Sequence, residues 1–228
     1  MNSHRKTGII VGILLIACTA TTILSLSLLK PILDDPEYLI RLTQNESLVI
    51  VAAIFEFIWA ATAMAIAIWL YPIIKKHNEA LSIGAVSFRV VEGVFVFVGT
   101  LGLLSLLALS HAFIRAGGPD ASYFQTIGTV LLAARHYAND GIVLITFCLG
   151  ALLYYVVFYQ SRLIPRWLSG WGIFGASLTL AVVLYSLFNP GFVVSWVHTL
   201  LNAPIALQEM VLAVWLIVKG FNQSVQPT

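Results

Sequence analysis

Seven ionisable side chains stand inside stretches that are otherwise apolar for membrane lengths: Glu56, Arg89, Glu92, Arg135, His136, Asp140 and Glu209. A charge in hydrocarbon costs at least about 2.5–3.5 kcal/mol at a helix centre, so such residues face a bundle interior and mark function or fix helix contacts. Arg89 and Glu92 are three apart and pair along one helical face. Glu209 approaches from another span at a similar depth in the cytoplasmic half, and Asn202 and Gln208 add polar groups beside it. This set can bind a small or lipid-like ligand, or a proton, with Arg89 using its fixed fork of donors as a clamp. It can equally be a salt-bridge cluster that only orients helices.

A second set lies near the outer face. His136 and Asp140 are four apart, on one side of a helix. Glu56 from a different span, with His198 or His111, can complete a site for a divalent metal. Zinc is the ion that such ligands suit best, and catalysis would need three protein ligands with an open water position. On that reading His136, Asp140, Glu56 and His198 activate water for hydrolysis of a lipid bond. The plainer alternative is a structural His136–Asp140 pair, with His111 and His198 ordinary interfacial residues.

Charge accounting sharpens both readings. Within the spans the carboxylates are Glu56, Glu92, Asp140 and Glu209, against the fixed cations Arg89 and Arg135. Two negative charges are then unmatched if everything ionises. A low-dielectric bundle does not hold them bare, so carboxyls stay protonated or a cation completes the balance: a proton, a metal ion, an amine-bearing ligand or imidazolium at His136.

The elements that position these residues follow from composition. Of 228 residues 60% are hydrophobic and only 10% charged, and the mean hydropathy is +0.95, which indicates an all-α, polytopic transmembrane helix bundle. A net charge of +2 without a basic block excludes a nucleic-acid partner. The bilayer is the expected partner, and oligomeric state is not legible. Hydropathy and length give six spans, about 8–29, 48–74, 83–110, 139–159, 169–188 and 195–218, forming one transmembrane domain over residues 1–228. Lys30-Pro31, Tyr71-Pro72, Pro165 and Asn189-Pro190-Gly191 mark breaks between them.

Arg5, Lys6, Lys75, Lys76, Arg162, Arg166 and Lys219 fall on one side, and Lys30, Arg41 and Arg115 on the other among Asp34, Asp35, Glu37, Glu46 and Asp120. The positive-inside rule then puts both termini in the cytoplasm. The stretch Ser122–His136 carries Phe124, Ile127 and Leu131 at helical spacing and reads as an interfacial helix before span four. A re-entrant element feeding that span is the alternative. The polar positions of the two halves do not superpose, which argues against an inverted-repeat transporter.

Several apparent motifs carry no chemistry. Gly170-Trp171-Gly172-Ile173-Phe174-Gly175 has the glycine spacing of a dinucleotide loop, but no strand precedes it. Gly172 and Ala176 instead suit close helix approach. Trp59, Trp167, Trp171 and Trp196 read as interface anchors. Cys18 and Cys148 read as inert core thiols. Leu15-Ile16-Ala17-Cys18 has the form of a lipoprotein cleavage box, yet the apolar run from Gly8 to Leu29 is longer than the usual 7–15 or so residues of a signal's apolar region, so an uncleaved span is expected.

At Ser161-Arg162-Leu163-Ile164-Pro165-Arg166-Trp167-Leu168-Ser169-Gly170-Trp171-Gly172 and at Arg89-Val90-Val91-Glu92 the chain resembles a large prokaryotic family of integral membrane proteins known only as a domain of unknown function. Asn202-Ala203-Pro204, Glu209 and Trp215-Leu216-Ile217-Val218-Lys219-Gly220-Phe221 are similar to that family's closing pattern. The resemblance implies a six-helix or similar bundle in a bacterial or archaeal inner membrane, with Arg89, Glu92 and Glu209 as motif residues and no activity to transfer. Three expectations stand together: a ligand- or proton-binding protein, a metal-dependent intramembrane hydrolase, and a structural or regulatory subunit.

Overall fold

Inside hydrocarbon every backbone N–H and C=O must find its partner within the chain, which leaves the helix as the solution for these apolar stretches. The computed structural model describes residues 3–117, 122–189 and 196–222. Its helices are α1 (Ser3–Leu33), α2 (Tyr38–Gln44), α3 (Glu46–Ile74), α4 (Glu79–Arg115), α5 (Ser122–His136), a π-helical turn (Tyr137–Val143), α6 (Leu144–Ser161), α7 (Arg166–Phe188) and α8 (Trp196–Val218). Six helical runs are long and apolar enough to cross a membrane. The helices extend beyond most of the span limits expected from hydropathy. The turn at Pro190-Gly191 and the loop residue Asp120 lie outside the described residues.

The spans form a closed ring of chain neighbours, α1 against α3, α3 against α4, α4 against α6, α6 against α7, α7 against α8, and α8 back against α1. Closure rests on the contact between the first and last spans. A Cβ on Gly12 would stand 2.7 Å from the Ala213 carbonyl oxygen and 2.6 Å from Ile217 Cγ1, so only glycine permits this approach. Two turns nearer the terminus, the Arg5 guanidinium donates to the carbonyls of Leu216 at 3.1 Å and Ile217 at 2.6 Å. This places a cation on the negative end of α8. The two ends of the described chain therefore lie on one side.

The resembled segment Ser161–Gly172 makes the α6–α7 turn on that side. Arg162 takes a left-handed conformation at φ 55°, and Leu163 and Ile164 bury completely. Asn222 fastens the turn, its backbone N–H donating to Leu163 O at 2.8 Å and its side chain to Arg162 O at 2.8 Å. Gly172 lies under the Tyr155 ring, where a Cβ would be 2.6 Å from Cε1, in keeping with close helix approach at this stripe.

The expectation of an interfacial helix before span four is corrected. Helix α5 neither lies on the surface nor re-enters. It runs through the π-helical turn into α6 as one apolar helical run, Ser122–Ser161, of 40 residues. At 1.5 Å per residue this is about 60 Å, twice the hydrocarbon thickness. One stripe of α5 is covered by protein, at Phe124, Gly128 and Arg135, whereas most of its other residues, Ile127 among them, stay exposed. The amphipathic face meets α4, itself 37 residues long, and not lipid. The separate short helix is α2, before span two.

Helix α2 is held by Asp35, whose Oδ1 accepts the Glu37 N–H at 2.8 Å and whose Oδ2 accepts Arg41 Nε at 2.9 Å. Ser110 of α4 donates to the Leu39 carbonyl, and Leu39 packs with Phe113 and Phe124. The Glu37 amide first, and Arg41 second, hold the exposed Asp35 carboxyl below its ordinary value. A depressed carboxylate stabilises above its unfolded-state value and stops doing so as pH falls through the folded one. Amide protection across residues 38–42, corrected for intrinsic exchange, should therefore fall below about pH 4, and should already be reduced at neutral pH in Asp35→Asn. Protection that is flat with pH and equal in the variant would show that this anchor contributes nothing.

Candidate functional site

Two guanidiniums serve the buried carboxylates, and they do so in different places. In the half of the bundle away from the chain termini, Arg135 presents its fork to Glu56. Nη1 lies 3.2 Å from Oε2, Nη2 bonds Oε1, and Nη1 also donates to Gly99 O at 2.6 Å. Thr100 Oγ1 donates to Glu56 Oε2 at 2.8 Å and Ser25 Oγ to Oε1 at 3.2 Å. Glu56 and Arg135 are both buried. This pair is charge-matched and hydrogen-bonded on every side, the condition under which a buried ion pair holds. It ties α1, α3, α4 and α5 together and leaves Glu56 no free oxygen for a ligand.

The second guanidinium lines a cavity of ≈ 330 Å³ in the middle of the ring, to which all six spans contribute. Arg89 and Glu92 are 1% and 2% exposed, with Nη1 2.9 Å from Oε2. The contact is ionic but poorly aligned, since neither atom is in a hydrogen bond. Phe147 lies under the guanidinium, 5.2 Å from its carbon to the ring centre. Gly150 makes room for the arginine stem, since a Cβ there would be 3.1 Å from Arg89 Cγ.

Glu209, Asn202, Thr179, Thr19 and Thr22 complete the polar lining, while Leu15, Ile23, Leu26 and Ile205 supply apolar wall. Arg89 Nε, Glu209 Oε1, Asn202 Oδ1 and Thr179 Oγ1 are buried without a hydrogen-bond partner among the described residues. Buried polar atoms are nearly always partnered, so several orphans around one hollow point to a guest. The helices are irregular here too. The π-helical turn ends at Val143 on the cavity wall, and such turns concentrate at functional sites. Pro204, between Asn202 and Ile205 in α8, removes one rung of the helical ladder because it has no N–H.

Of the residues expected in the ligand set, the structure brings together Arg89, Glu92, Glu209 and Asn202 and keeps Glu56 and Gln208 apart. Gln208 is fully buried, but it accepts from Tyr155 OH and donates to Leu168 O at 3.0 Å, which locks α8 to α6 and the start of α7. The histidines separate into local pairs. His136 Nδ1 is 2.9 Å from Asp140 Oδ2, both partly exposed. His111 faces Glu46 at 3.5 Å, and Asn202 Nδ2 lies 3.3 Å from His198 Nε2. Among the described residues no three of His, Cys, Asp and Glu converge to hold a metal ion.

Sequence reasoning passed over Cys18, Thr19, Thr22, Trp59, Phe147 and Thr179, all on the cavity wall. A signal existed in the first span, where Cys18, Thr22 and Ser25 recur at helical spacing. Trp59, three residues after Glu56, sits too far inside its helix to be an interface anchor. Trp167 and Trp196 are exposed, as interface residues are.

The model of a domain of unknown function, DUF4386, matches residues 10–220. The chain belongs to this family. The resemblance carried by Arg89, Glu92 and the α6–α7 turn is therefore to a family that the whole bundle shares. No curated protein and no solved structure matches the chain.

For this DUF4386 protein the Arg135–Glu56 ion pair should be a structural clamp. Arg135→Ala strands a buried carboxylate and should cost about 3–5 kcal/mol in unfolding from detergent, whereas the double replacement Glu56→Met with Arg135→Met should cost much less. Equal destabilisation by the single and double replacements would remove the clamp from the account.

Proposed function

We propose that this membrane protein binds a small, lipid-like ligand in the central cavity, with Arg89, Glu92, Glu209 and Asn202 at its polar part and the apolar wall around the rest. The observation that carries this reading is the group of buried, unpartnered polar atoms on Arg89, Glu209, Asn202 and Thr179 around one hollow of ≈ 330 Å³. That volume lies within the range of about 300–1,000 Å³ typical of ligand pockets. Access from the bilayer is supported by Ile23 and Leu26, 58% and 55% exposed, and by exposed Ala206, all of them lining residues.

Glu56 and Gln208 act in this reading as helix locks. The chain forms a single transmembrane domain whose termini face the cytoplasm, a choice of side supported by Arg5, Lys6, Lys75, Lys76, Arg162, Arg166 and Lys219. In intact cells an impermeant maleimide should label Glu37→Cys and spare Lys76→Cys. The reverse pattern would invert the assignment.

Ligand content is the direct test. Mass spectrometry of gently extracted protein should find a co-purifying small molecule or lipid in the parent chain. Glu209→Gln and Ala206→Trp, the second of which fills the mouth without touching the charges, should each fold and lose most of it. Unchanged content in both variants would overturn the reading.

A further inference from the structure

The charges on the cavity wall are unequal, and the inequality specifies the guest. Among the described lining residues the carboxylates are Glu92 and Glu209 and the only cation is Arg89. Arg89 has its ionic partner in Glu92 at 2.9 Å and Phe147 beneath it, although its Nε and Nη1 donate no hydrogen bond among the described residues. Arg135 is spent on Glu56 and the Gly99 carbonyl. One carboxylate, Glu209, is therefore left without a counter-ion of its own. Besides the donors Arg89 Nε and Nη1, the orphan atoms on the lining are oxygens: Glu92 Oε2, Glu209 Oε1, Asn202 Oδ1 and Thr179 Oγ1. Oxygens of carboxylate and amide only accept, so the missing partner must bring donors.

Building on the cavity as a ligand site, we propose that its guest is an amphiphile with an ammonium head and an apolar tail, and that Glu209 is the head's counter-ion. An ammonium group brings one positive charge and several N–H donors, which answers the missing charge and the missing donor at Glu209 together. Trp59 is on the same wall, and an indole is the aromatic side chain that best accommodates a cation. An anionic head would instead add a third negative charge beside Glu92 and Glu209. The tail has a way out. Near the inner end α1 and α8 touch through Gly12. Further out, Ile23 and Leu26 of α1 and Ala206 of α8 line the cavity and are exposed. A chain can thus lie between these two helices with its head at Glu209. Asn202 is two turns outward, about 10 Å along the helix axis, so its Oδ1 lies beyond the head and calls for a donor elsewhere on the guest.

The test uses full-length protein in maltoside micelles, which carry no ammonium group, with three ten-carbon probes: decylamine, decanol and decanoate. Binding is read from tryptophan fluorescence and from the shift in thermal unfolding. Decylamine should bind saturably and about tenfold more tightly than decanol, the order expected for one charge-assisted hydrogen bond. Glu209→Gln should erase that margin, and Ala206→Trp, which leaves every charge in place, should block all uptake. Equal amine affinity in the parent chain and a folded Glu209→Gln variant would overturn the proposal, as would amine uptake undiminished in Ala206→Trp, the sign of mere partition into micelles. Preference for decanoate that depends on Arg89 would overturn the ammonium assignment while leaving the cavity a ligand site. Failure of all three probes, in a chain that also carries no co-purifying molecule, would remove both.

Discussion

The bidentate bond between Arg135 and Glu56 sets the terms for the rest of the molecule. In a low-dielectric interior a carboxylate needs a cation close by, and this chain has two buried guanidiniums for its buried carboxylates. Because Arg135 is consumed by Glu56, with Thr100 and Ser25 taking the remaining lone pairs, Arg89 alone is left near Glu92 and Glu209. The same bond draws the end of α5 into the bundle. That explains why the long run Ser122–Ser161 stands upright beside α4 instead of spreading along the membrane surface.

Ring closure supplies the second constraint. Small residues let α1 and α8 meet at the end near the chain termini, where Gly12 abuts Ala213 and Ile217 and Arg5 caps the α8 carbonyls. Further along, larger and more polar side chains face the same seam, among them Thr19, Thr22, Asn202 and Glu209. Tight contact at one end with bulk at the other leaves a hollow between them. Pro204, one helical rung short, and the π-helical turn before α6 stand beside that hollow. The irregular backbone thus collects where the unpartnered side chains are, a coincidence expected of sites that trade local stability for binding.

Much of this was legible residue by residue. Six apolar stretches announced six spans, and the depth of Arg89, Glu92 and Glu209 along them implied that they could meet. Span ends were less legible, because hydropathy falls off before the helix does. Glu56 and Gln208 belonged by type to a ligand set, but their partners come from helices far away in the chain. Nothing in their spacing reveals that Arg135 and Tyr155 have claimed them. The helical spacing of Phe124, Ile127 and Leu131 suggested a membrane-facing stripe, whereas the buried positions Phe124, Gly128 and Arg135 are those that fit against α4.

Composition and periodicity by themselves determined the class of the protein, the number of spans and the excess of buried carboxylates over fixed cations. These are sums over residues, and the cost of leaving charge or backbone unsatisfied in hydrocarbon applies to them whatever the helix arrangement. The Arg89–Glu92 pair was legible in its spacing, but that Arg135 goes to Glu56 was decided only by tertiary structure, and with it that Glu209 is the carboxyl left without a guanidinium of its own. Pairing depends on distances of a few ångströms between helices, and those distances come from packing small residues against large ones around a closed ring.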